Sequence, residues 1–402
     1  MAAPLTVDEA LARILDGVAP TPAELVAIEE AHGRTLAAPL AALLTQPPFD
    51  ASAMDGYAVR AADVVRLPAT LEVIGEAAAG HPFAGSVAAG QAVRIFTGAP
   101  LPSGADTIAI QEDADRDGGR VTVRAVSLEE SYVRPRGFDF REGEGLLEAG
   151  RRLGPRELAL AAAMGHGQMP VRRCPRVAIL STGDELVPPG SRPGPGQIIS
   201  SNHLAIAALA EAAGARAQLL GIARDTRASL AEHFAKAGDA DVIVTIGGAS
   251  VGDHDLVAPV LQARGMALSF WKIAMRPGKP LMFGRLGPSR VLGLPGNPVS
   301  SIVCARVFLV PLLRALLGRP ALDARPAEAR AAVPIEANGP RQHYMRATST
   351  PGSDGVALVT PVRSQDSSLL SPLAQADCLL VRPARAPAVP TGALVPILPL
   401  DF

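Results

Sequence analysis

Two of the chain's three lysines, Lys272 and Lys279, fall with its only tryptophan inside Phe270-Trp271-Lys272-Ile273-Ala274-Met275-Arg276-Pro277-Gly278-Lys279-Pro280. Positive charge elsewhere comes almost wholly from arginine, so this segment retains the compact ammonium point charge that suits a small, highly charged oxyanion. A solvated surface loop is the plainer reading of either lysine alone.

The other chemically promising residues follow apolar runs. After Val177 to Leu180 comes Ser181-Thr182-Gly183-Asp184-Glu185, where backbone N–H groups and hydroxyls suit phosphate and Glu185 suits a metal ion or an oriented water. A helix-capping loop would use the same residues. Ser200-Ser201-Asn202 precedes a helical run and reads equally well as an N-cap. After Val242 to Ile246 comes Gly247-Gly248-Ala249-Ser250-Val251-Gly252-Asp253-His254-Asp255, whose glycines admit close backbone approach and whose acids suit Mg²⁺. Leu294-Pro295-Gly296-Asn297-Pro298-Val299-Ser300 links another apolar run to a long apolar helix, again a phosphate position. In open α/β sheets such loops share one edge, where ligands bind. Gly248-x-Ser250-x-Gly252 also matches a serine-hydrolase nucleophile elbow, but the downstream histidines, His254 and His343, are poorly placed for a triad. There is neither a Walker A loop nor a dinucleotide fingerprint. In the N-terminal half, Asp50, Asp55 and Tyr57 within Pro48 to Ala58, Thr97-Gly98-Ala99-Pro100 and Arg136-Gly137-Phe138-Asp139 read by themselves as polar turns.

The elements that must position these loops are legible in outline. At 402 residues the chain exceeds one hydrophobic core and, at ~150 residues per domain, suggests about two to four. Hydrophobic content of 48% with 19% charged residues fits a globular rather than a disordered chain. A net charge of −1 and scattered arginines argue against nucleic-acid binding. Cys174, Cys304 and Cys378 have no zinc or redox-pair spacing, and the most apolar stretch, Ile302 to Leu317, is interrupted by Arg306 and Arg314. A cytoplasmic, non-membrane protein is expected.

Thr6-Val7-Asp8-Glu9 and Thr21-Pro22-Ala23-Glu24 are capping-box patterns, so two N-terminal helices are predicted. Short β runs follow at Thr70 to Ile74, Ala92 to Phe96 and Thr107 to Gln111. A helical stretch returns from Arg151 to Gln168, and from Arg176 strands alternate with helices, implying a mostly parallel, doubly wound sheet. A Pro- and Arg-rich linker after Pro320 leads to a C-terminal β domain with turns at Asn338-Gly339 and Pro351-Gly352.

Taken in order, MDGYA at Met54, FTGAP at Phe96, STGDEL at Ser181, GGASVGDHD at Gly247, FWKIAMRPGKP at Phe270 and GLPGNPVS at Gly293 resemble the molybdopterin molybdenumtransferases, or molybdenum insertases, which include the E domain of gephyrin. The resemblance spans nearly the whole chain. It implies a multidomain α/β plus β protein in four parts: a discontinuous helical domain (1–46 and 141–173), a β domain (47–140), a doubly wound α/β molybdopterin-binding domain (174–319) and a C-terminal β domain (320–402). It further implies a homodimer that converts adenylylated molybdopterin and molybdate into molybdenum cofactor and AMP with Mg²⁺, in a cleft between the α/β domain of one subunit and the β domain of the other.

Carried over by motif, Asp55, Thr97, Asp139, Glu185, Asp225, Asp255, Lys272 and Lys279 match functional positions. Glu185 and Asp255 would hold the metal. Ser181, Thr182, Gly183, Asn202, Gly247, Gly248, Ser250, Gly252, Pro295, Gly296, Asn297 and Pro298 would bind the substrate. Lys279, Arg276, Arg346 and Ser367 resemble the molybdate pocket, which accounts for the retained lysines. The resemblance also implies a molybdopterin adenylyltransferase or acceptor molybdoenzymes as contacting partners. The rival readings are the related adenylyltransferase, which would not need the N-terminal motifs, and a peptide-binding scaffold, which would not need the lysines and acidic loops.

Overall fold

The computed structural model describes residues 4–127, 131–248, 256–321 and 327–400. The first capping box forms as predicted: Thr6 Oγ1 accepts from the Glu9 N–H at 3.2 Å, and the Thr6 N–H donates to Glu9 Oε2 at 2.8 Å, opening the helix Val7–Leu15. Val7, Ala10, Leu11 and Ile14 are buried in the same cluster as the α/β sheet and the helix Val310–Leu316. This helix is thus physically part of the α/β core.

The second predicted helix does not form. Ala23–Ala27 is a strand paired antiparallel with Gln168–Arg172. Thr21 is buried, and its hydroxyl donates toward the carbonyls of Arg173 (2.6 Å) and Leu316 (3.2 Å) instead of capping. A short isolated helix is marginal, and here a complementary strand and two buried acceptors outcompete it. The helix expected from Arg151 to Gln168 is likewise shorter: it covers Pro155–Ala163, beginning after Gly154 and ending ahead of Gly165, whose φ is +95°. Leu36, Leu40, Phe140, Leu153, Met164 and Val171 form the core uniting the two separated stretches.

The β runs of the N-terminal half join one six-stranded sheet in the order Thr107–Ile110, Gly56–Val59, Gln91–Ile95, Ala69–Ala77, Arg120–Val123 and Ala114–Asp117. Two apolar clusters, one containing Tyr57 and Val121 and the other Ala58 and Ile95, lie against it.

The α/β sheet has six strands in the order Arg216–Ala223, Arg176–Thr182, Val242–Ile246, Ser289–Leu294, Met282–Leu286 and Ala267–Phe270. The first four are parallel; Met282–Leu286 runs antiparallel to both of its neighbours. One face is covered by Asn202–Ala212 and the long helix from Pro298 to Leu316, the other by Arg227–Ala235 and Val257–Ala263. With both faces covered, the central strands are buried along their whole length, as their continuous apolar runs require. Pro298–Leu316 is long and apolar enough to cross a membrane, but 83% of its apolar window is buried within the protein.

The C-terminal strands Gln342–Thr350, Leu358–Pro361, Ala327–Ala331, Leu394–Pro399 and Cys378–Arg382 pair in that order, and Cys378–Arg382 pairs back onto Gln342–Thr350, closing a barrel. The lysine-bearing segment stitches this barrel to the α/β sheet. It leaves the edge strand at Phe270, bridges Leu5 at Ile273, and adds Met275–Arg276 in parallel to Gln342-His343 before entering Met282–Leu286. At its turn, Gly278 has φ +106°, and a Cβ there would lie 2.3 Å from the buried Cys304 Sγ.

Two predictions follow from this seam. Gly278→Ala should lower stability by roughly 2–4 kcal/mol, combining a left-handed backbone with overpacking; urea unfolding measures it, and adding Cys304→Ala should recover only the overpacking part. His343 is buried at the same seam, where burial, then the charges of Arg276, Arg341 and Arg346, hold its imidazole down to about 4. As pH falls below the ordinary histidine value, the unfolded chain gains a proton that the folded one refuses, so this contribution is full above ~6.5 and is lost progressively as pH falls toward 4. His343→Gln should flatten the decline of the urea midpoint over that window.

Candidate active site

The adjacent parallel strands Arg176–Thr182 and Val242–Ile246 are connected in opposite directions at their carboxyl ends. From Arg176–Thr182 the chain crosses to Arg216–Ala223 on one side and then returns to Val242–Ile246 on the other. The loops therefore part and leave a crevice, the usual ligand position in such sheets. A cleft of about 750 Å³ lies there.

Its lining gathers residues from all the strand-end loops: Ser181, Thr182, Gly183 and Glu185 from the first, Asn202 and Asp225 from helix-leading loops, Gly247 and Gly248 from the third strand, and Pro295, Gly296, Asn297 and Pro298 from the fourth. Gly247 is sterically required by backbone, whereas at Gly183 the close neighbour is the movable end of a side chain. A Cβ on Gly247 would sit 2.6 Å from the Thr182 carbonyl, and one on Gly183 would sit 2.4 Å from Glu185 Oε2. Both also have positive φ, at +90° and +151°.

Asn202 does not serve as a cap. Its Nδ2 donates to the Gly296 carbonyl at 2.8 Å, tying the helix Asn202–Ala212 to the Pro-Gly-Asn-Pro loop, and Ser201 makes no capping bond at the helix start. Asn297 in turn donates to Ser367 Oγ at 2.9 Å, and the Val299 N–H donates to the Ser367 carbonyl at 3.1 Å. The C-terminal domain thus supplies one wall, with Ser368 and Leu370 lining the cleft.

Arg346, from the barrel strand Gln342–Thr350, is 1% exposed. Its Nη1 donates to Leu369 O (2.8 Å) and its Nη2 to Ser364 O and Asp366 O (both 2.9 Å). Its donors are thereby committed to the loop that carries Ser367, and it does not line the cleft. Pro280 does line the cleft, bringing the backbone of Lys279 to its edge, whereas the side chains of Lys272, Arg276 and Lys279 are exposed beyond the lining.

Two carboxylates, those of Glu185 and Asp225, line the cleft, and Asp184 lies beside them in sequence and hydrogen bonding. Asp225 has its carboxyl raised by burial and then by the neighbouring charges of Asp184 and Glu185. Its N–H donates to Asp184 Oδ1 at 3.2 Å. Among the described residues no arginine or lysine pairs with any of the three. Nor does any group of three His, Cys, Asp or Glu side chains among them form a protein-only metal cage. Glu185 and Asp225, which both line the cleft, are oxygen donors of the kind a hard divalent cation takes.

The structure does not bring the β-domain residues into this cleft. Asp55 accepts from the Thr97 N–H (2.8 Å) and Thr97 Oγ1 (2.7 Å), bonds that hold its carboxyl below the usual range. Arg94 stacks over Phe96 and Tyr57 beside it. Asp139 is exposed, and none of Asp55, Thr97 and Asp139 lines the cleft of its own chain. Ser250, Gly252 and Asp255 lie outside the described residues, as does most of the candidate nucleophile elbow.

Sequence reasoning missed the apolar wall. Leu186–Val187 pairs in parallel with Ile198–Ile199, and Leu186, Ile198 and Ile199 line the cleft together. The only local sign was an isolated Ile-Ile pair after a Gly-Pro-Gly turn, too short to show a period.

Three family models match the chain: MoeA N-terminal region (domain I and II) over residues 5–165, probable molybdopterin binding domain over 178–315, and MoeA C-terminal region (domain IV) over 328–400. Among curated relatives, the molybdopterin molybdenumtransferase of Haemophilus influenzae is 35% identical over 401 residues, with 99% of each chain covered. That of a Nostoc species is 42% identical over 303 residues, covering 73% of this chain and 70% of the other. A crystal structure of a molybdopterin biosynthesis MoeA protein from Pyrococcus horikosii aligns over 100% of both chains with a TM-score of 0.83 and 31% identity. From its α/β domain to its β-rich flanking domains, the chain belongs to the molybdopterin molybdenumtransferase family, transferases of molybdenum cofactor biosynthesis.

Proposed function

We propose that this cleft inserts molybdenum from molybdate into adenylylated molybdopterin, with hydrolysis of the adenylyl pyrophosphate bond and release of AMP. The observation that carries the reading is one strand-end cleft lined by the carboxylates Glu185 and Asp225, by the glycines of three loops and, on the C-terminal side, by Ser368, with Pro280 bringing the backbone of Lys279 to its edge. Phosphate oxygens fit between the glycine-rich loops, where Gly183, Gly247, Gly248 and Gly296 admit close backbone approach.

Molybdate is a compact dianion, for which ammonium and hydroxyl donors are well matched. Lys279 supplies the point charge and Ser367 a hydroxyl held by Asn297. Arg276 would add charge from the same segment, and Arg346 fixes the Ser367 loop. Burial, and after it the charges of Arg276, Arg341 and Arg346, lower the imidazole of His343 beside this segment.

Glu185 and Asp225, with Asp255, would hold Mg²⁺. When bound, the ion would neutralise charge on the pyrophosphate oxygens. Glu185 and the loop glycines then have the task of orienting the adenylyl group against the attacking water. Lys272, exposed in the same segment as Lys279, would add positive charge.

The active unit is a homodimer in this reading. Asp55, kept ionised by Thr97, and Asp139 would approach the cleft of the partner subunit. Exposed apolar residues of the same half, among them Leu25, Leu43, Leu44, Phe49 and Phe138, supply surface for association. The protein would act in the cytoplasm and hand cofactor to acceptor molybdoenzymes, with contact to the adenylyltransferase upstream.

The deciding assay is AMP release from adenylylated molybdopterin by purified protein with Mg²⁺, with and without molybdate, followed by reconstitution of an apo-molybdoenzyme. Molybdate-dependent release with reconstitution is expected; adenylylation of molybdopterin from ATP, or binding without turnover, would overturn the reading. Lys279→Ala should raise the KM for molybdate roughly 10- to 100-fold, the worth of one charged hydrogen bond, while leaving adenylylated molybdopterin binding nearly intact. Equal loss of both ligands would remove Lys279 from the molybdate pocket. Asp55→Asn and Glu185→Gln proteins, each inactive alone, should regain activity when co-expressed, because a mixed dimer contains one intact composite site; no recovery would show that both residues serve the same subunit's cleft.

A further inference from the structure

A hydroxyl chain leads out of the cleft floor to a histidine that the functional reading leaves unused. Ser181, at the end of the central strand, and Ser200, just before the helix Asn202–Ala212, both line the cleft and are 2% and 4% exposed. Ser200 Oγ donates to Ser181 Oγ at 3.4 Å, and His203 Nδ1 lies 3.1 Å from Ser200 Oγ. The helix bearing His203 is anchored to the opposite loop through Asn202 and the Gly296 carbonyl.

A serine carries a single hydroxyl hydrogen. With that of Ser200 directed at Ser181, the bond between Ser200 and His203 needs its hydrogen from the imidazole, which sets the Nδ1–H tautomer. Ser181 then accepts from Ser200 and keeps its own hydrogen for the cleft. In the reverse polarity Ser181 would spend its hydrogen on Ser200 and turn lone pairs toward an anionic ligand. The polarity of the chain therefore decides whether the floor attracts or repels a phosphate oxygen.

We propose that His203 is a positioning residue that, through Ser200, sets the Ser181 hydroxyl as a hydrogen-bond donor to a phosphate oxygen of the adenylyl pyrophosphate. The inference rests on the insertase reading and deepens it by giving the cleft floor a directional donor. Burial lowers the pKa of His203, which favours the neutral imidazole and leaves the donor role to its tautomer.

The test compares wild type with His203→Leu, Ser200→Ala, the double variant and His203→Asn, whose carboxamide keeps an N–H near the Nδ1 position. AMP release is measured as kcat and as KM for each substrate, with thermal unfolding alongside. Loss of one positioned donor bond should lower kcat by about five- to tenfold in either single variant while the molybdate KM stays unchanged. The double variant should be no worse than the singles, since both break the same chain, and His203→Asn should recover most of the rate. An unchanged kcat in His203→Leu, multiplicative losses in the double variant, or failure of His203→Asn to recover rate in a protein that unfolds like wild type would overturn the proposal. Should His203→Leu fail to fold, Ser200→Ala and His203→Asn decide the matter by themselves. Absence of AMP release from wild type would instead strike the insertase reading, and it would be seen before any variant is compared.

Discussion

The parallel pairing of Arg176–Thr182 with Val242–Ile246 is the constraint on which the rest of the molecule depends. Because the chain leaves the first strand to one side and enters the other from the opposite side, no loop crosses the gap between their carboxyl ends. The opening is thus a product of topology, before any side chain is considered. Gly247 then sits against the Thr182 carbonyl at a distance that excludes a side chain. Packing both faces with helices makes the strands rigid, so the backbone groups at their ends are presented in a fixed array.

Around that opening the charged residues lining the cleft, among those described, are the carboxylates Glu185 and Asp225. Carboxylates gather where burial and mutual repulsion raise Asp225, an arrangement that is costly without a cation and favourable with one. Cationic groups gather at the seam between the α/β sheet and the C-terminal barrel, and the seam is built by a single segment. Between Phe270 and Pro280 the chain bridges the N-terminus at Ile273, adds Met275–Arg276 to the barrel, turns at Gly278 over Cys304, and brings Lys279 to the cleft edge. Gln365 reinforces the far side: its side chain bonds the N–H and carbonyl of Arg346, while the Arg346 guanidinium holds the carbonyls of the Ser367 loop. The C-terminal barrel is therefore a wall of the site as well as an appended domain.

Much of this was legible in the chain. The alternation of apolar runs with helical patterns from Arg176 onward placed the doubly wound sheet, and most strand-end loops read as ligand positions do line one cleft. The failures have a common cause. Thr21-Pro22-Ala23-Glu24 has the local chemistry of a helix start, yet its threonine is drawn to carbonyls at Arg173 and Leu316, both far along the chain. Asn202 has the local chemistry of a cap, yet its amide is used across the cleft on Gly296. In each case a distant acceptor outcompetes the nearby backbone.

By itself the sequence determined the strand–helix alternation of the α/β domain, the family, and the residue types that can meet a phosphate, a divalent cation and a compact oxyanion, because periodicity, turn chemistry and motif order are local properties of the chain. Only the tertiary structure decided that Arg346 spends its guanidinium on loop carbonyls, that Ile198 and Ile199 form a cleft wall, that Ser181, Ser200 and His203 share one hydrogen-bonded chain, and that Asp55 and Thr97 bond each other without lining the cleft. Those outcomes depend on which groups compete for the same donors and acceptors once distant segments are packed together, and no local pattern records that competition.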